Sequence, residues 1–346
     1  MPPAPEPPEA PEEGPATTGR EAWLAGGMLG LTALGLLGTY AGSHLPLCDT
    51  AQVQLCVPES LATPSATAWR YLQAPAHLVD TLSSWQNQSH QVVKAPPDSR
   101  NSTAADHVQL VSWNLHHGLS QDSSGARPQL DTMIEQLKSE DADVILLQEV
   151  APNQVNDLAE RLGMQGYYAA TTPVQGNMIL LNPDIQVKEE HVVFTTGEQP
   201  GQAWDTLKGW VRQGGGPGEP RNLQMLEVEL PNGDQALIWN THHLTGAYSE
   251  EQQQQAAQVL GSALQSGISQ RPERLVIGGG DLNARVDQQH HPVVRHLSRL
   301  AGLQTQADRL DWIVSNAPQQ FSSEWVRQAD GTVVSDHPLV RSQVDL

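Results

Sequence analysis

The chain has 346 residues and carries 39 acidic against 19 basic side chains, for a net charge of −20 with neutral histidines. Binding to a nucleic-acid backbone depends on Lys and Arg, so this balance argues against a protein that holds a polyanion by charge alone. The length allows two domains, but the composition changes sharply near residue 107. We therefore expect one globular unit over the last two-thirds of the chain.

The N-terminal region is predicted to contain a disordered tail and a membrane anchor. Residues 1–21 are acidic and rich in proline, with almost nothing apolar to bury. Residues 22–42 hold no charged side chain and, at about 1.5 Å per residue, are long enough for a helix to cross a hydrocarbon layer of roughly 30 Å. We expect a single transmembrane helix here. The alternatives are a cleaved signal peptide, which the acidic tail argues against, and a buried core helix.

Residues 43–106 are predicted to be a linker that follows the membrane helix. Cys48 and Cys56, the two cysteines of the chain, could form a disulfide in an oxidising compartment or remain two inert thiols. Asn87 and Asn101 begin Asn-X-Ser/Thr motifs, which are acceptor sites for glycosylation. Together these features predict a single-pass membrane protein whose globular domain, residues 107–346, is extracytoplasmic. The predicted helix would bind the lipid bilayer, and the sequence points to no protein partner.

The globular region alternates between strand patterns and helix patterns. Strands are expected from apolar alternation or short apolar runs, and helices from apolar residues three and four positions apart. The predicted strands are 108–115, 143–147, 176–181, 223–230, 235–241, 275–277, 309–315 and 333–338, and the predicted helices are 129–138, 154–162 and 249–265. The sequence Pro-Asn-Gly-Asp at 231–234 predicts a hairpin between the fourth and fifth strands. This order indicates an α/β domain.

Several predicted strands end in a side chain able to bind a metal or move a proton. In the segment GGGDLNA, Asp281 and Asn283 are two residues apart and so face one side, while Leu282 faces the core. Gly278 to Gly280 are expected to let the backbone turn sharply before them. Any one such strand end could be a capped turn. Burying so many acids and imidazoles costs several kcal/mol each unless they serve one another or a cation, so jointly they predict a site.

Taken in chain order, these strand ends resemble the motifs of the endonuclease/exonuclease/phosphatase superfamily. That group includes deoxyribonuclease I, abasic-site endonucleases, neutral sphingomyelinases and inositol polyphosphate phosphatases. The matching segments are SWNLHHG with Asn114, LLQEV with Glu149, an arginine before the hairpin at Arg221, NTHH with His242, GGGDLNA with Asp281 and Asn283, RLDWIVS with Asp311, and VVSDHPLV with Asp336 and His337. His243 remains the alternative to His242.

The resemblance implies a four-layer α/β sandwich of two facing mixed β-sheets flanked by helices, with the site at one rim of both sheets. It also implies divalent-metal-dependent hydrolysis of phosphodiester bonds by activated water, and we expect a nuclease. The alternatives are a phosphodiesterase for lipids or small molecules, similar to a sphingomyelinase, and a catalytically silent binding module. The substrate is in each enzymatic case a phosphodiester, in nucleic acid, lipid or a small molecule.

The resemblance also implies roles for the matching residues. The implied metal ligands are Glu149 and Asn114, with Asp336 supporting the metal through water; the phosphate contact is Arg221; and the catalytic residues are Asp281, Asn283, His337, His242 and Asp311. Mg²⁺ is the expected ion, with Mn²⁺ or Ca²⁺ as alternatives, because hard oxygen ligands suit these cations. Some members of the group carry an acid two residues after the first Asn, where this chain has His116. That difference favours one metal over two.

Overall fold

The computed structural model describes residues 90–95, 106–120, 127–172, 175–196, 220–285, 287–288, 290–300 and 302–346. The predicted tail, membrane helix and most of the linker, with both cysteines and both glycosylation motifs, lie outside the described residues. Within the part that is described, no helix combines the length and the apolar character that a bilayer crossing requires.

Fifteen strands lie in the described residues, most of them in two sheets. They are β1 (His90–Val93), β2 (His107–Asn114), β3 (Leu119–Ser120), β4 (Arg127–Pro128), β5 (Val144–Val150), β6 (Gln165–Ala170), β7 (Gly176–Leu181), β8 (Gln186–Thr196), β9 (Arg221–Glu229), β10 (Gln235–His242), β11 (Leu275–Asp281), β12 (Gln304–Asp308), β13 (Asp311–Ser315), β14 (Gln319–Glu324) and β15 (Leu339–Asp345). The first sheet has the order β1-β6-β7-β5-β2-β15-β14, and the second has the order β12-β13-β11-β10-β9-β8. Strands β3 and β4 form a separate pair.

Both large sheets are mixed. In the first sheet β2 runs parallel to β5, and in the second β10 runs parallel to β11, whereas the other neighbouring strands are antiparallel. Parallel neighbours bring the carboxyl ends of their strands to the same edge of the sheet. The predicted hairpin is confirmed, since β9 and β10 pair directly with Leu226 opposite Ile238.

Four helices cover the outer faces of the sheets. They are α1 (Leu130–Ser139), α2 (Val155–Leu162), α3 (Glu250–Gln270) and α4 (Pro292–Leu297). Helix α3 begins at a capping box, in which the Ser249 side chain accepts from the Gln252 backbone N–H and the Gln252 side chain accepts from the Ser249 N–H. Gly163 ends α2 in a left-handed conformation, which suits glycine at that position.

Three apolar cores separate the four layers. The middle core joins the inner faces of the sheets through Leu110, Val144, Leu146, Ile179, Leu226, Ile238, Ile277 and Ile313. One outer core packs α1 and α2 on the first sheet through Met133, Ile134, Leu158, Trp113 and Leu147; the other packs α3 and α4 on the second through Leu260, Leu264, Leu297, Leu237 and Trp239. Because both faces of β5 are buried over its first four residues, those residues, 144–147, form a continuous apolar run. The predicted α/β architecture of two mixed sheets flanked by helices is confirmed.

Three predictions of secondary structure need correction. Residues 90–93, assigned to the linker, form β1 at the edge of the first sheet, where Val93 packs against the outer core while Val92 stays exposed. The predicted strand 333–338 is mostly a loop, and the last strand follows it at Leu339–Asp345. The prediction missed β6, β8, β12, β14 and α4. Most of these are exposed or edge elements, whose burial is too partial to give a clear apolar period.

Candidate active site

The strand ends that carry the predicted site residues converge at one rim of both sheets. Register places His242 at the end of β10 beside Asp281 at the end of β11, and places Asp281 opposite Asp311 at the start of β13. In the first sheet Asn114 ends β2, and Glu149 lies near the end of the parallel strand β5. Five predicted side chains from five strands therefore share one edge.

The glycines before Asp281 lie inside β11 and do not form the predicted turn. Gly279 and Gly280 have φ values of 157° and 129°, a region that favours glycine. A Cβ atom at Gly280 would clash with the Thr241 carbonyl oxygen of β10, and one at Gly279 would clash with the Trp312 carbonyl oxygen of β13. These glycines are required because the neighbouring backbones approach closely, and that close approach positions Asp281.

One carboxylate oxygen of Asp281 faces three nitrogen atoms. Its Oδ2 lies 3.1 Å from Asn114 Nδ2, 3.4 Å from His242 Nε2 and 3.5 Å from His337 Nε2. Its Oδ1 accepts a hydrogen bond from the Asn283 backbone N–H at 2.8 Å. The residue is 1% exposed, and burial raises the pKa of its carboxyl. The arrangement is an acid held among donors, with one oxygen directed at the imidazoles.

His337 is held by Asp311. The Nδ1 of His337 lies 2.9 Å from Asp311 Oδ2, which leaves Nε2 directed towards Asp281. Burial alone would lower the pKa of His337, but the hydrogen bond and the charge of Asp311 outweigh it and raise that pKa to about 10. The loop that carries His337 is fixed to β2, since Trp113 Nε1 donates to the His337 carbonyl at 3.1 Å. His337 is thus an oriented imidazolium at neutral pH.

His242 is held by Arg221 from behind. Arg221 NH1 lies 3.2 Å from His242 Nδ1, and because a guanidinium only donates, Nδ1 must be the acceptor and Nε2 must carry the proton. Burial, and then the charge of Arg221, keep the pKa of His242 well below its ordinary value. His242 is therefore a neutral donor towards Asp281. Arg221 is 4% exposed and its guanidinium contacts this ring. The residue predicted to contact phosphate therefore lies behind His242.

The neighbouring His243 points away from Asp281. Its ring is fully buried, 6.3 Å between centroids from the ring of His291, and burial lowers its pKa to about 3. Its backbone N–H donates to the Asp281 carbonyl at 2.8 Å, and its carbonyl accepts from Asn283 Nδ2 at 3.0 Å. The structure therefore brings His242 into the site. His243 and the side chain of Asn283 support the backbone around Asp281.

Glu149 and Asn114 form the part of the site that fits a cation. Glu149 has a φ of 54° beside an irregularity in the pairing of β5, which turns its side chain to the rim. Burial alone would raise the pKa of Glu149, but His242, His117, His116 and a hydrogen bond from Asn114 together lower it to about 2. Asn114 Nδ2 donates to Glu149 Oε1 at 3.2 Å, and Asn114 Oδ1 accepts from the His116 N–H at 3.0 Å.

The charge around Glu149 supports a metal. With a pKa of about 2, Glu149 is a carboxylate at neutral pH, and its oxygens lie 3.4 Å from His117 Nε2 and 3.9 Å from His242 Nδ1. A partly buried anion of this kind gains from a bound cation, because burial weakens its hydration. Ligand atoms of Asp281, Asp311 and His337 also lie within 4.8 Å of one another, but a direct hydrogen bond between His337 Nδ1 and Asp311 Oδ2 already joins two of these three residues.

Asp336 lies at the margin of the site. Its side chain is exposed, and its negative charge adds to the rise in the pKa of His337 and partly opposes the lowering of the pKa of His117 by burial. This position is compatible with a contact through water, as the resemblance implies.

His117 is a site residue that the sequence prediction missed. Its Nε2 lies 3.4 Å from Glu149 Oε2, its φ is 56°, and its carbonyl accepts from Gln154 Nε2 at 2.7 Å. The only signal was its place in SWNLHHG, because the backbone leaves the strand here and strand alternation no longer predicts a direction. The left-handed conformation, which is uncommon for a residue other than glycine, turns the ring towards Glu149.

A layer of buried amides beneath the rim was also missed. We define the amide layer as Gln148, Asn177, Asn222 and Asn240, each 1% exposed or less. Gln148 Nε2 donates to Asn240 Oδ1 at 2.9 Å, and Asn177 Nδ2 donates to Asn222 Oδ1 at 2.8 Å, so both pairs join one sheet to the other. Their sequence signal was a polar residue inside an otherwise apolar strand.

Comparison with solved structures supports the fold. Truncated TDP2 from Caenorhabditis elegans aligns with a TM-score of 0.51 and 20% identity over 69% of this chain and 98% of that one. The human Nocturnin catalytic domain aligns with a TM-score of 0.54 and 17% identity over 75% of this chain and 99% of that one. A mannosyl-6-phosphatase from Bacteroides thetaiotaomicron aligns with a TM-score of 0.53 and 16% identity over 68% of this chain and 99% of that one. At these identities the likeness concerns the fold alone.

Comparison of the sequence with family models gives a more direct assignment. A search of curated protein sequences found no match. Residues 111–337 match the model of the endonuclease/exonuclease/phosphatase family, a span that begins in β2 and ends at His337. Because this match covers more than half of the chain, the protein belongs to the endonuclease/exonuclease/phosphatase family.

Proposed function

We propose that the globular domain hydrolyses phosphodiester bonds with the help of a divalent metal, and that it acts as a nuclease. The observation that carries this proposal is Asp281 Oδ2, which lies within 3.5 Å of nitrogen atoms from Asn114, His242 and His337. A base, a neutral donor and a cationic donor meet at one point. Membership of a family of phosphoester-cleaving enzymes supports the same reaction class.

In the proposed reaction, a water oxygen attacks phosphorus while the bond from phosphorus to the leaving oxygen breaks. Asp281 takes the proton that the water loses, and burial, which raises the pKa of this carboxyl, makes it a better base than an exposed aspartate. His337, kept protonated by Asp311, donates through Nε2 as negative charge grows on the phosphate or the leaving oxygen. His242 Nε2 supplies a second donor, whose tautomer Arg221 determines.

Glu149 and Asn114 would hold the metal, with Asp336 in support. When bound, Mg²⁺, or Mn²⁺ or Ca²⁺ in its place, supplies positive charge that offsets the charge of the phosphate. Asn114 has a second function that does not depend on the metal, because its Nδ2 donates to the carboxylates of both Glu149 and Asp281. It thereby sets the spacing between the metal ligand and the base.

A lipid or small-molecule phosphodiesterase is the second candidate. The observation that favours it is the net charge of −20, which weakens the hold on a long polyanion. The uncharged stretch 22–42 supports a membrane anchor that would keep the domain near a lipid surface, and we propose an extracytoplasmic placement. A C-terminal reporter that matures only in an oxidising compartment tests that placement; a signal confined to a cytosolic reporter would contradict it.

Direct assay of the full-length chain tests the proposed function. Supercoiled plasmid, RNA, sphingomyelin and bis(p-nitrophenyl) phosphate would each be incubated with Mg²⁺ or with EDTA, using Asp281→Asn as the matched inactive control. We expect metal-dependent cleavage of plasmid or RNA and of the aryl ester, and none by the control. Cleavage of sphingomyelin alone would favour the second candidate. Turnover that EDTA leaves intact would contradict the metal, and no turnover on the panel would favour a silent binding module.

A further inference from the structure

A tryptophan and an arginine meet beside the His337 side of the candidate site. Arg309 Cζ lies 5.1 Å from the ring centroid of Trp325. Arg309 is exposed and Trp325 is half-buried, so both can be reached from solvent. Neither belongs to the catalytic group described above. An indole and a guanidinium that are in contact offer a flat, partly cationic surface.

Register places this pair close to the reacting groups. Arg309 and Leu310 form the two-residue turn between β12 and β13, directly before Asp311, and the Leu310 carbonyl accepts from the Leu282 N–H at 2.9 Å. Trp325 follows the last residue of β14, Glu324, which pairs with Leu339.

His337 precedes Leu339 by two residues, so Trp325, which follows the partner of Leu339, lies next to the segment that contains His337. A hydrogen bond from Ser323 Oγ to Asp308 Oδ2, at 2.8 Å, joins the two hairpins just before the pair. Arg309 and Trp325 therefore lie at the same corner of the molecule as Asp311 and His337.

Arginine is an unusual residue at the position that Arg309 occupies in this turn. Its φ is 54°, a left-handed value that suits glycine at the first position of a two-residue hairpin and is unfavourable for a long side chain. Strained residues of this kind concentrate at functional sites. Here the left-handed position presents a cation next to the candidate active site in a strongly acidic protein, while Arg221 is engaged with His242.

The chemistry of the pair favours a nucleobase over a lipid headgroup. Nucleobases stack on aromatic rings and on guanidinium planes alike. A quaternary ammonium headgroup also seeks aromatic rings, but the charge of Arg309 would repel it. A planar base attached to a phosphodiester can stack on both side chains, because the guanidinium of Arg309 is flexible enough to adjust to the position of the base.

We propose that Arg309 and Trp325 form a base-stacking subsite, which makes nucleotide esters the preferred substrates of this site. The inference rests on the proposed phosphodiester hydrolysis and adds a substrate class to it. The subsite acts on the base of the nucleotide that bears the scissile phosphate. It therefore lowers KM for substrates with a base and leaves substrates without one unaffected.

Two esters with the same leaving group separate this role from catalysis. Thymidine 5′-(p-nitrophenyl phosphate) carries a base, and methyl p-nitrophenyl phosphate does not. For Trp325→Ala we expect kcat/KM on the thymidine ester to fall about tenfold or more, mainly through KM, with the methyl ester unchanged. Arg309→Gln should act in the same direction, Trp325→Phe should retain most of the activity, and Arg327→Gln, an exposed neighbouring control, should change neither ester.

Binding measured by calorimetry decides the matter independently of turnover. In EDTA, wild-type protein should bind thymidine 5′-monophosphate more tightly than deoxyribose 5-phosphate, and Trp325→Ala should abolish that difference. Equal losses on both esters, or an unchanged difference in binding, would overturn the subsite. If wild-type protein cleaves neither ester, the proposed hydrolysis fails, and the calorimetric comparison alone then supports or overturns the base-stacking role.

Discussion

The rim of the site and the amide layer beneath it are both buried and polar, yet they differ in how their polar atoms are satisfied. In the amide layer, Asn240 donates to the carbonyls of Leu147 and Met178 and accepts from Gln148, so its whole side chain is engaged by the fold. At the rim, Asp281 Oδ2 and the Glu149 carboxylate depend on weaker contacts of 3.1 to 3.9 Å, while Asp281 Oδ1 has a short hydrogen bond, from the Asn283 N–H at 2.8 Å. A polar layer bonded mainly to other protein groups stabilises the sandwich, although the Gln148 Oε1 atom in it has no hydrogen-bond partner among the described residues, whereas a less completely bonded rim keeps the capacity to bind and react.

The largest effect is expected from the centre of the rim. Asp281→Asn removes the base and His337→Ala removes the cationic donor, so each should lower kcat/KM by about 10² or more. Both variants should still fold; Asp281→Asn should keep the melting temperature of the wild type, whereas His337→Ala should lower it, because the buried Asp311 carboxylate loses its partner. Paired kinetics and melting curves check this. Near-normal turnover in both variants would overturn the mechanism.

The amide layer should respond in the opposite way. Asn240→Ala removes three hydrogen bonds, two of them to the backbone carbonyls of Leu147 and Met178, which should destabilise the fold by about 3 kcal/mol and lower the melting temperature by roughly 6–12 °C. Activity per folded molecule should persist. Denaturant titration with kinetics at a permissive temperature measures both. A stable but inactive variant would mean that the layer takes part in the chemistry.

His243 tests where the rim ends, through the pH dependence of stability. Burial holds its pKa at about 3, below the ordinary value of 6.5. Between these two pH values the unfolded chain binds one more proton than the folded chain, so the free energy of unfolding decreases as the pH falls from 6.5 towards 3. His243→Leu should reduce the slope by about 1.4 kcal/mol per pH unit. Urea unfolding in EDTA between pH 4 and pH 6.5 measures it. An unchanged slope would show that this ring does not stay neutral in the fold.

A smaller effect is expected at the proposed metal ligand. Glu149→Gln removes the anionic ligand, so the Mg²⁺ concentration for half-maximal activity should rise by about tenfold or more, while saturating metal restores much of the rate. Mg²⁺ titration of activity, together with calorimetric Mg²⁺ binding, separates affinity from turnover. If the metal requirement does not move, Glu149 is not the ligand.

His116→Ala should change activity least of the rim variants. This residue stands where an additional acid would favour a second metal, and its backbone N–H, which the substitution retains, makes its contact with Asn114. Kinetics at saturating Mg²⁺, run beside Glu149→Gln, provide the measurement. A loss as large as that of His337→Ala would contradict the assignment of one metal.

Much of the fold was predictable because burial on both faces leaves a strong mark on sequence. The strand 176–181 and the hairpin around 231–234 were placed correctly, and helix α2 to within one residue. Partly exposed strands such as β8 and β14 were missed, because the sheet edge imposes little apolar alternation on them. Edge strand β1 was missed for the same reason.

The sequence alone determined which chemical groups stand at the strand ends, since alternation and motif order need only neighbours along the chain. Tertiary structure decided their partners. It placed His242 against Asp281 and turned His243 towards His291, set Arg221 behind His242, and brought His117 to Glu149. These outcomes depend on strand pairing across the sheets and on left-handed backbone turns. A period of two along one strand specifies the face on which a side chain lies, but contains no information about which atom of another strand lies within 3.5 Å of it.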